Sequence, residues 1–137
     1  MVNIMEIREY TGYQEDEIIG LYSAVGWKAY TENPESLRKG YQQSLLILGA
    51  YEGNRLTGII RVVGDGETIV FVQDILVHPE YRHKGIGTAL LKAILTRYSH
   101  VRQIELVTDS RPETIAFYES NGLRKLSDIG CTGFMKI

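Results

Sequence analysis

Three runs of apolar residues lie in the middle of the chain: Ser44 to Glu52, Leu56 to Val63 and Thr68 to Val77. Gly53-Asn54 separates the first two and Gly64-Asp65-Gly66 the second two, so the pattern predicts three strands joined by short turns, an antiparallel meander. Upstream, Met5 to Tyr10 alternates apolar and charged residues and reads as a first strand. Ile18, Ile19, Leu21, Tyr22 and Val25 recur at helical spacing, which predicts a helix from Gln14 to Val25 with Gly26 as its stop. Asn33-Pro34 supplies a cap and a first-turn proline for a second helix to about Gln43, and Trp27, Lys28, Ala29 and Tyr30 form an aromatic-rich connection between the two. Downstream, leucines, isoleucines and alanines at helical spacing predict a helix over Ile86 to Tyr98. It is followed by a strand Gln103 to Thr108, a helix Pro112 to Ser120 stopped by Asn121-Gly122, and two last strands, Leu123 to Leu126 and Thr132 to Lys136.

That order predicts an α/β (mixed α+β) fold: a central mixed, mostly antiparallel sheet of about six to seven strands with helices on both faces. Strand 68–77, helix 86–98 and strand 103–108 form a crossover, which makes the two strands parallel. The chain has 137 residues, 44% of them hydrophobic, and neither a low-complexity run nor a repeat, so a single domain over 1–137 is expected.

Charge and cysteine content narrow the function classes. A formal net charge of −2 and a pI near 5.9 lack the basic excess of a general nucleic-acid binder. Cys131 is the single cysteine, so no internal disulfide or Cys-rich metal site can form, and no metal is expected. No apolar segment has the length of a membrane span or the form of a secretory leader. A cytoplasmic protein without membrane partner is the expectation.

The candidate chemistry lies where the strand ending at Val77 passes into the helix starting at Ile86: Arg82-His83-Lys84-Gly85-Ile86-Gly87-Thr88. Two glycines at a helix start let a ligand approach the backbone. The first-turn amides have no intrahelical acceptor and carry the positive end of the helix dipole. Arg82, His83 and Lys84 add positive charge, which fits a phosphate or pyrophosphate. A nucleotide P-loop is excluded because the Lys precedes the first Gly, and a dinucleotide fingerprint because no third glycine follows Gly87. A turn with a solvated basic flank is the bland alternative. The strand, the His78-Pro79 turn, Arg-x-x-Gly-x-Gly and the amphipathic helix occurring together speak against it.

This stretch resembles the acetyl-CoA signature of the GNAT superfamily of N-acetyltransferases, Arg/Gln-x-x-Gly-x-Gly/Ala, and the resemblance extends upstream through Asp74-Ile75-Leu76-Val77-His78-Pro79-Glu80-Tyr81. The element order is also similar over nearly the whole chain. The resemblance implies that residues Arg82, His83, Lys84, Gly85, Ile86, Gly87 and Thr88 hold the coenzyme pyrophosphate. It also implies that the fourth and fifth strands splay apart, with the backbone of Ile75, Leu76 and Val77 holding the pantetheine arm and thioester carbonyl. A fixed amide near that oxygen would stabilise the charge that develops on it. Thr114 to Leu123 is similar to the family's later helix, which implies that Tyr118 protonates the departing sulfur; packing of the helix is its alternative role. Where the family often has an asparagine seven residues before that tyrosine, this chain has Arg111. Trp27 and Tyr30 are implied as walls of the acceptor site, whereas Tyr22 and Tyr41 read rather as packing residues with their polar tips at the surface.

The implied reaction is direct acetyl transfer from acetyl-CoA to a primary amine of a small molecule. Protein Lys or N-terminal acetylation, and a non-catalytic acyl-CoA-binding regulatory module, are the alternatives. An alkylammonium is deprotonated in only about one part in 2,500 at neutral pH, roughly 4.6 kcal/mol, so a base or a desolvating pocket is required. Asp74 is the first candidate for that base, and a structural carboxylate is its other reading. Glu105 and Asp109 rank behind it, His78 reads as shaping the His-Pro turn, and Cys131 as packing. The resemblance also implies a homodimer.

Overall fold

A computed structural model describes residues 5–137. The chain divides into two compact units, one ending at Leu106 and the other Val107–Ile137. The first holds a five-stranded sheet of sequential order: β1 (Met5–Glu9), β2 (Leu46–Glu52), β3 (Arg55–Gly64), β4 (Ile69–Val77) and β5 (Gln103–Leu106). β1 to β4 pair antiparallel, and β4 pairs with β5 in parallel across the connection through α4 (Ile86–Arg97). The meander and the crossover are thus as the apolar pattern predicts.

β2 and β3 are buried at nearly every position instead of alternating, because helices cover both faces. On one face α1 (Glu15–Ala24) and α3 (Pro34–Gln42) bury Ile18, Leu21, Tyr22, Leu37 and Tyr41 against Ile47, Ile59 and Leu76. The opposite face carries α4. An added Cβ on Gly58, next to Ile59 and so pointing away from it, would meet Ile86 and Leu90 of α4. Ile86, Leu90, Leu91 and Ile94 are the buried stripe of that helix.

Three details differ from the sequence pattern in this unit. The Trp27–Tyr30 connection contains a one-turn helix, α2 (Lys28–Thr31). Asn33 does not cap α3 with its side chain; its amide donates back to Ala29 instead. A bulge at Gln73 interrupts β4, since Arg61 pairs with Asp74 and Val62 with Val72. The β4–β5 pairing ends at Val72 and Leu106, so among the described residues the edge from Gln73 to Val77 has no strand beside it.

The second unit contains α5 (Pro112–Ser120) and a short 3-10 turn at Leu126–Ile129. α5 stops as expected, with Leu123 N–H bonded to Tyr118 O and Gly122 N–H to Glu119 O. The two last strands expected at 123–126 and 132–136 do not form, and among the described residues the sheet has five strands rather than six or seven. Leu126 enters the 3-10 turn, which Cys131 N–H closes on Leu126 O. Beyond it Phe134 and Met135 are 96% and 71% exposed, with no ladder partner among the described residues. A short apolar run is a strand only where a neighbouring edge accepts it.

Candidate functional site

The loop after β4 is built mostly from backbone. His78 Nδ1 accepts the Glu80 N–H and starts a 3-10 turn, Pro79–Tyr81, which bears out the reading of His78 as a turn former. Two left-handed residues follow, His83 (φ 64°) and Gly85 (φ 82°), and curl the chain into α4. Backbone of this kind forms anion-binding concavities. Gly85 is the N-cap residue of α4 and offers no side-chain acceptor. The first amide satisfied within the helix is that of Ala89, on Gly85 O. The amides of Ile86, Gly87 and Thr88 therefore retain their donors at the positive end of a 12-residue helix. A Cβ on Gly85 would meet nothing within 4 Å, so the space in front of the cap is open to a ligand. Arg82, His83 and Lys84 are exposed around it, with Lys84 Nζ 5.1 Å from the Tyr81 ring centre. The arrangement fits a phosphate group.

Next to this loop in the chain, the backbone of Ile75, Leu76 and Val77 lies on the unpaired edge of β4. Leu76 turns its side chain into the core, which leaves the main chain as the available functional part there.

Asp74 has partners that sequence reasoning did not foresee. It is 2% exposed, and its Oδ2 accepts from Arg61 Nε at 2.7 Å and from Tyr22 Oη at 2.8 Å. Its Oδ1 accepts from Tyr30 Oη at 2.5 Å. Because Tyr22 and Tyr30 each spend their one proton on this carboxylate, Tyr41 donates to Tyr22 (2.9 Å) and Gln73 Nε2 to Tyr30 (3.1 Å). Burial, followed by the neighbouring Tyr41 and the Asp74 carboxylate, pushes the Tyr22 hydroxyl well above the ordinary tyrosine value, and burial followed by the hydrogen bond to Asp74 raises that of Tyr30. Tyr41 is raised as well, chiefly by burial. Trp27 joins the same group: its ring lies 5.8 Å from Tyr22 and 6.1 Å from Tyr30. The α1 stop explains its place, since Gly26 (φ 78°) turns the chain and Trp27 N–H bonds to Tyr22 O. The structure thus brings Trp27, Tyr30 and Asp74 together, and adds Arg61, Tyr22, Tyr41 and Gln73. An arginine inside the mostly apolar run Leu56 to Val63 and an aspartate inside Thr68 to Val77 are the signals in the sequence of a buried ion pair.

In the second unit, Tyr118 is half-buried on α5. Burial, followed by the charge of Asp109, raises its hydroxyl pKa, so the phenol stays protonated at neutral pH. Arg111, at the position of the family's asparagine, is held locally: its Nε and Nη2 each donate to Asp109 at 3.1 Å. The same arginine holds Asp109 down to about 2. Among the described residues no group of three His, Cys, Asp or Glu is placed to hold a metal, and no helix is long and apolar enough to cross a membrane.

Residues 8–123, including the Arg82–Thr88 loop and the Tyr118 helix, match the Acetyltransferase (GNAT) family. The chain belongs to this family. A GNAT-family acetyltransferase of Streptococcus pneumoniae is 36% identical and superposes with a TM-score of 0.88 over 98% of each chain. A probable acetyltransferase of Staphylococcus aureus shares the fold at 21% identity, with a TM-score of 0.78 over 98% of this GNAT chain and 100% of its own. The ycf52-like N-acetyltransferase of Prochlorococcus marinus is 29% identical over 77% of this chain. The chain spans 60% of that relative's length.

Proposed function

We propose that this GNAT chain transfers the acetyl group of acetyl-CoA to a primary amine of a small molecule. The observation that carries the reading is the start of α4, where the unpaired amides of Ile86, Gly87 and Thr88 follow a left-handed Gly85 and exposed Arg82 and Lys84. Those amides and cations would hold the coenzyme phosphates, and the free edge at Ile75, Leu76 and Val77 the arm. The coenzyme supplies an acetyl group already activated as a thioester, so no covalent adduct with the protein is required.

Trp27 and Tyr30 are assigned to the acceptor. Tyr30 Oη donates its hydrogen bond to Asp74 and accepts one from Gln73, so the phenol oxygen presents its remaining lone pair to the N–H of an incoming ammonium. Asp74 is read as the positioning residue for Tyr30, because its hydrogen bonds from Tyr22, Tyr30 and Arg61 hold the carboxylate in place. The Tyr118 hydroxyl is the proton donor assigned to the leaving thiolate.

Free-thiol release from acetyl-CoA, followed with a panel of amino acids, polyamines, aminoglycosides and short peptides, tests the proposal. Saturable release with one class of small amine is expected. Release with peptides alone would transfer the assignment to a protein acceptor, and binding of acetyl-CoA without release for any amine would contradict catalysis.

A further inference from the structure

The polar cluster behind Asp74 has a second, open side. A cavity of about 260 Å³ lies among α2, α3 and β3, bordered by Tyr30, Asn33, Ser36, Leu37, Gly40 and Arg61. This is below the usual size of a whole-ligand pocket and suits a small group. The Arg61 guanidinium is its charged wall. Arg61 is 6% exposed, Nε is bonded to Asp74, Nη1 to Ser44 Oγ at 3.3 Å, and the group sits 5.4 Å from the Tyr41 ring centre. Nη2 makes no hydrogen bond to a described residue. Tyr13 Oη is the one fully enclosed side-chain polar atom without a partner among the described residues, so Nη2 keeps contact with solvent.

A guanidinium has five N–H donors in a planar fork, and two groups on the protein use only part of it. No acidic side chain borders the cavity. Ser36, at the third position of α3, adds a hydroxyl near a helix N-terminus. Tyr30 belongs to both places: it borders the cavity, and its hydroxyl sits on Asp74 beside the β4 bulge.

We propose that this cavity binds the carboxylate of the acceptor, which makes the substrate a small amine that also carries a carboxylate, such as an amino acid. Arg61 Nη2 takes the carboxylate and the amine is left beside Tyr30. The assignment of the bound group to an acceptor rests on the acyl-transfer reading above, whereas the anion preference of the cavity stands on the Nη2 donor that Arg61 keeps without a partner among the described residues, beside its Asp74 and Ser44 bonds.

The test uses three probes of equal size and different charge, propionate, propionamide and propylammonium, titrated into the full chain without coenzyme and followed by the amide resonances of Ser36, Gly40 and Arg61. Propionate alone is expected to give saturable shifts. Ser36→Asp, on the exposed side of α3, should weaken propionate about tenfold and Ser36→Lys should tighten it, with coenzyme affinity unchanged in both. In turnover, amino acids should exceed their amides in kcat/KM by about tenfold, and Ser36→Asp should bring the two near parity. Equal shifts by all three probes, or tighter propionate binding in Ser36→Asp, would overturn the carboxylate site. Propionate binding without thiol release from any amine would overturn the acceptor assignment while leaving the anion site in place.

Discussion

The loop entering α4 offers a ligand its main chain, whereas the cluster behind Tyr30 is made of side chains bonded to one another. In the first, Arg82, His83, Lys84 and Gly85 are exposed, and the useful donors are the amides of Ile86, Gly87 and Thr88. In the second, Arg61 and Asp74 are buried, and each hydroxyl of Tyr22, Tyr30 and Tyr41 is committed. A backbone site tolerates side-chain change except where a conformation or a close approach demands glycine. A side-chain network fails when any central member is removed.

The comparison is broken most severely at its buried end. Asp74→Ala leaves Arg61 buried without its counter-ion and two hydroxyls without an acceptor, so stability should fall by about 3–5 kcal/mol in urea unfolding. A loss under about 1 kcal/mol would show that the network contributes little. Alkali strains the same cluster without mutation. Tyr22, Tyr30 and Tyr41 are raised by burial, and Tyr10 is pushed up to about 12 for the same reason. The unfolded chain releases these protons near pH 10 and the folded chain does not. The tyrosine contribution to stability is therefore complete below about pH 10 and declines as pH rises toward 12. Unfolding midpoints measured from pH 8 to 12 should fall in that window, and a flat profile would contradict it.

Gly58→Val addresses the support of the loop. Its Cβ would come within 3.1 Å of Leu76 O and 3.2 Å of Ile86, so overpacking should remove about 1–3 kcal/mol and weaken coenzyme binding in parallel by displacing the first turn of α4. Loss of stability with normal coenzyme affinity would separate the two. Tyr30→Phe is the mildest change. It removes one half-exposed hydroxyl, for about 1 kcal/mol of stability, and should lower kcat/KM for the amine while leaving acetyl-CoA binding unchanged.

The same contrast explains what could be read from the sequence. Gly85, Gly87 and the basic residues before them are contiguous, so the loop and its helix were apparent from spacing, as were all five strands that form. Arg61 and Asp74 stand 13 positions apart and Tyr22 and Asp74 stand 52 apart; they meet only through the β3–β4 register and the packing of α1 on the sheet. Asp74 could be singled out, but not the partners that define its role. The last strands were misread because residues 132–136 carry a strand-like pattern and the sequence does not state which edge would receive it.

Calorimetric titration of acetyl-CoA into the wild-type chain and into Gly85→Asp tests the central assignment most directly. Asp tolerates a left-handed backbone and adds a negative charge at the cap of α4, within a few ångströms of the free amides. Saturable binding by the wild type and an affinity lower by about 100-fold or more in the variant, with an unchanged unfolding midpoint, is the predicted result. Equal affinity in the two proteins would contradict the placement of the coenzyme phosphates at the start of α4.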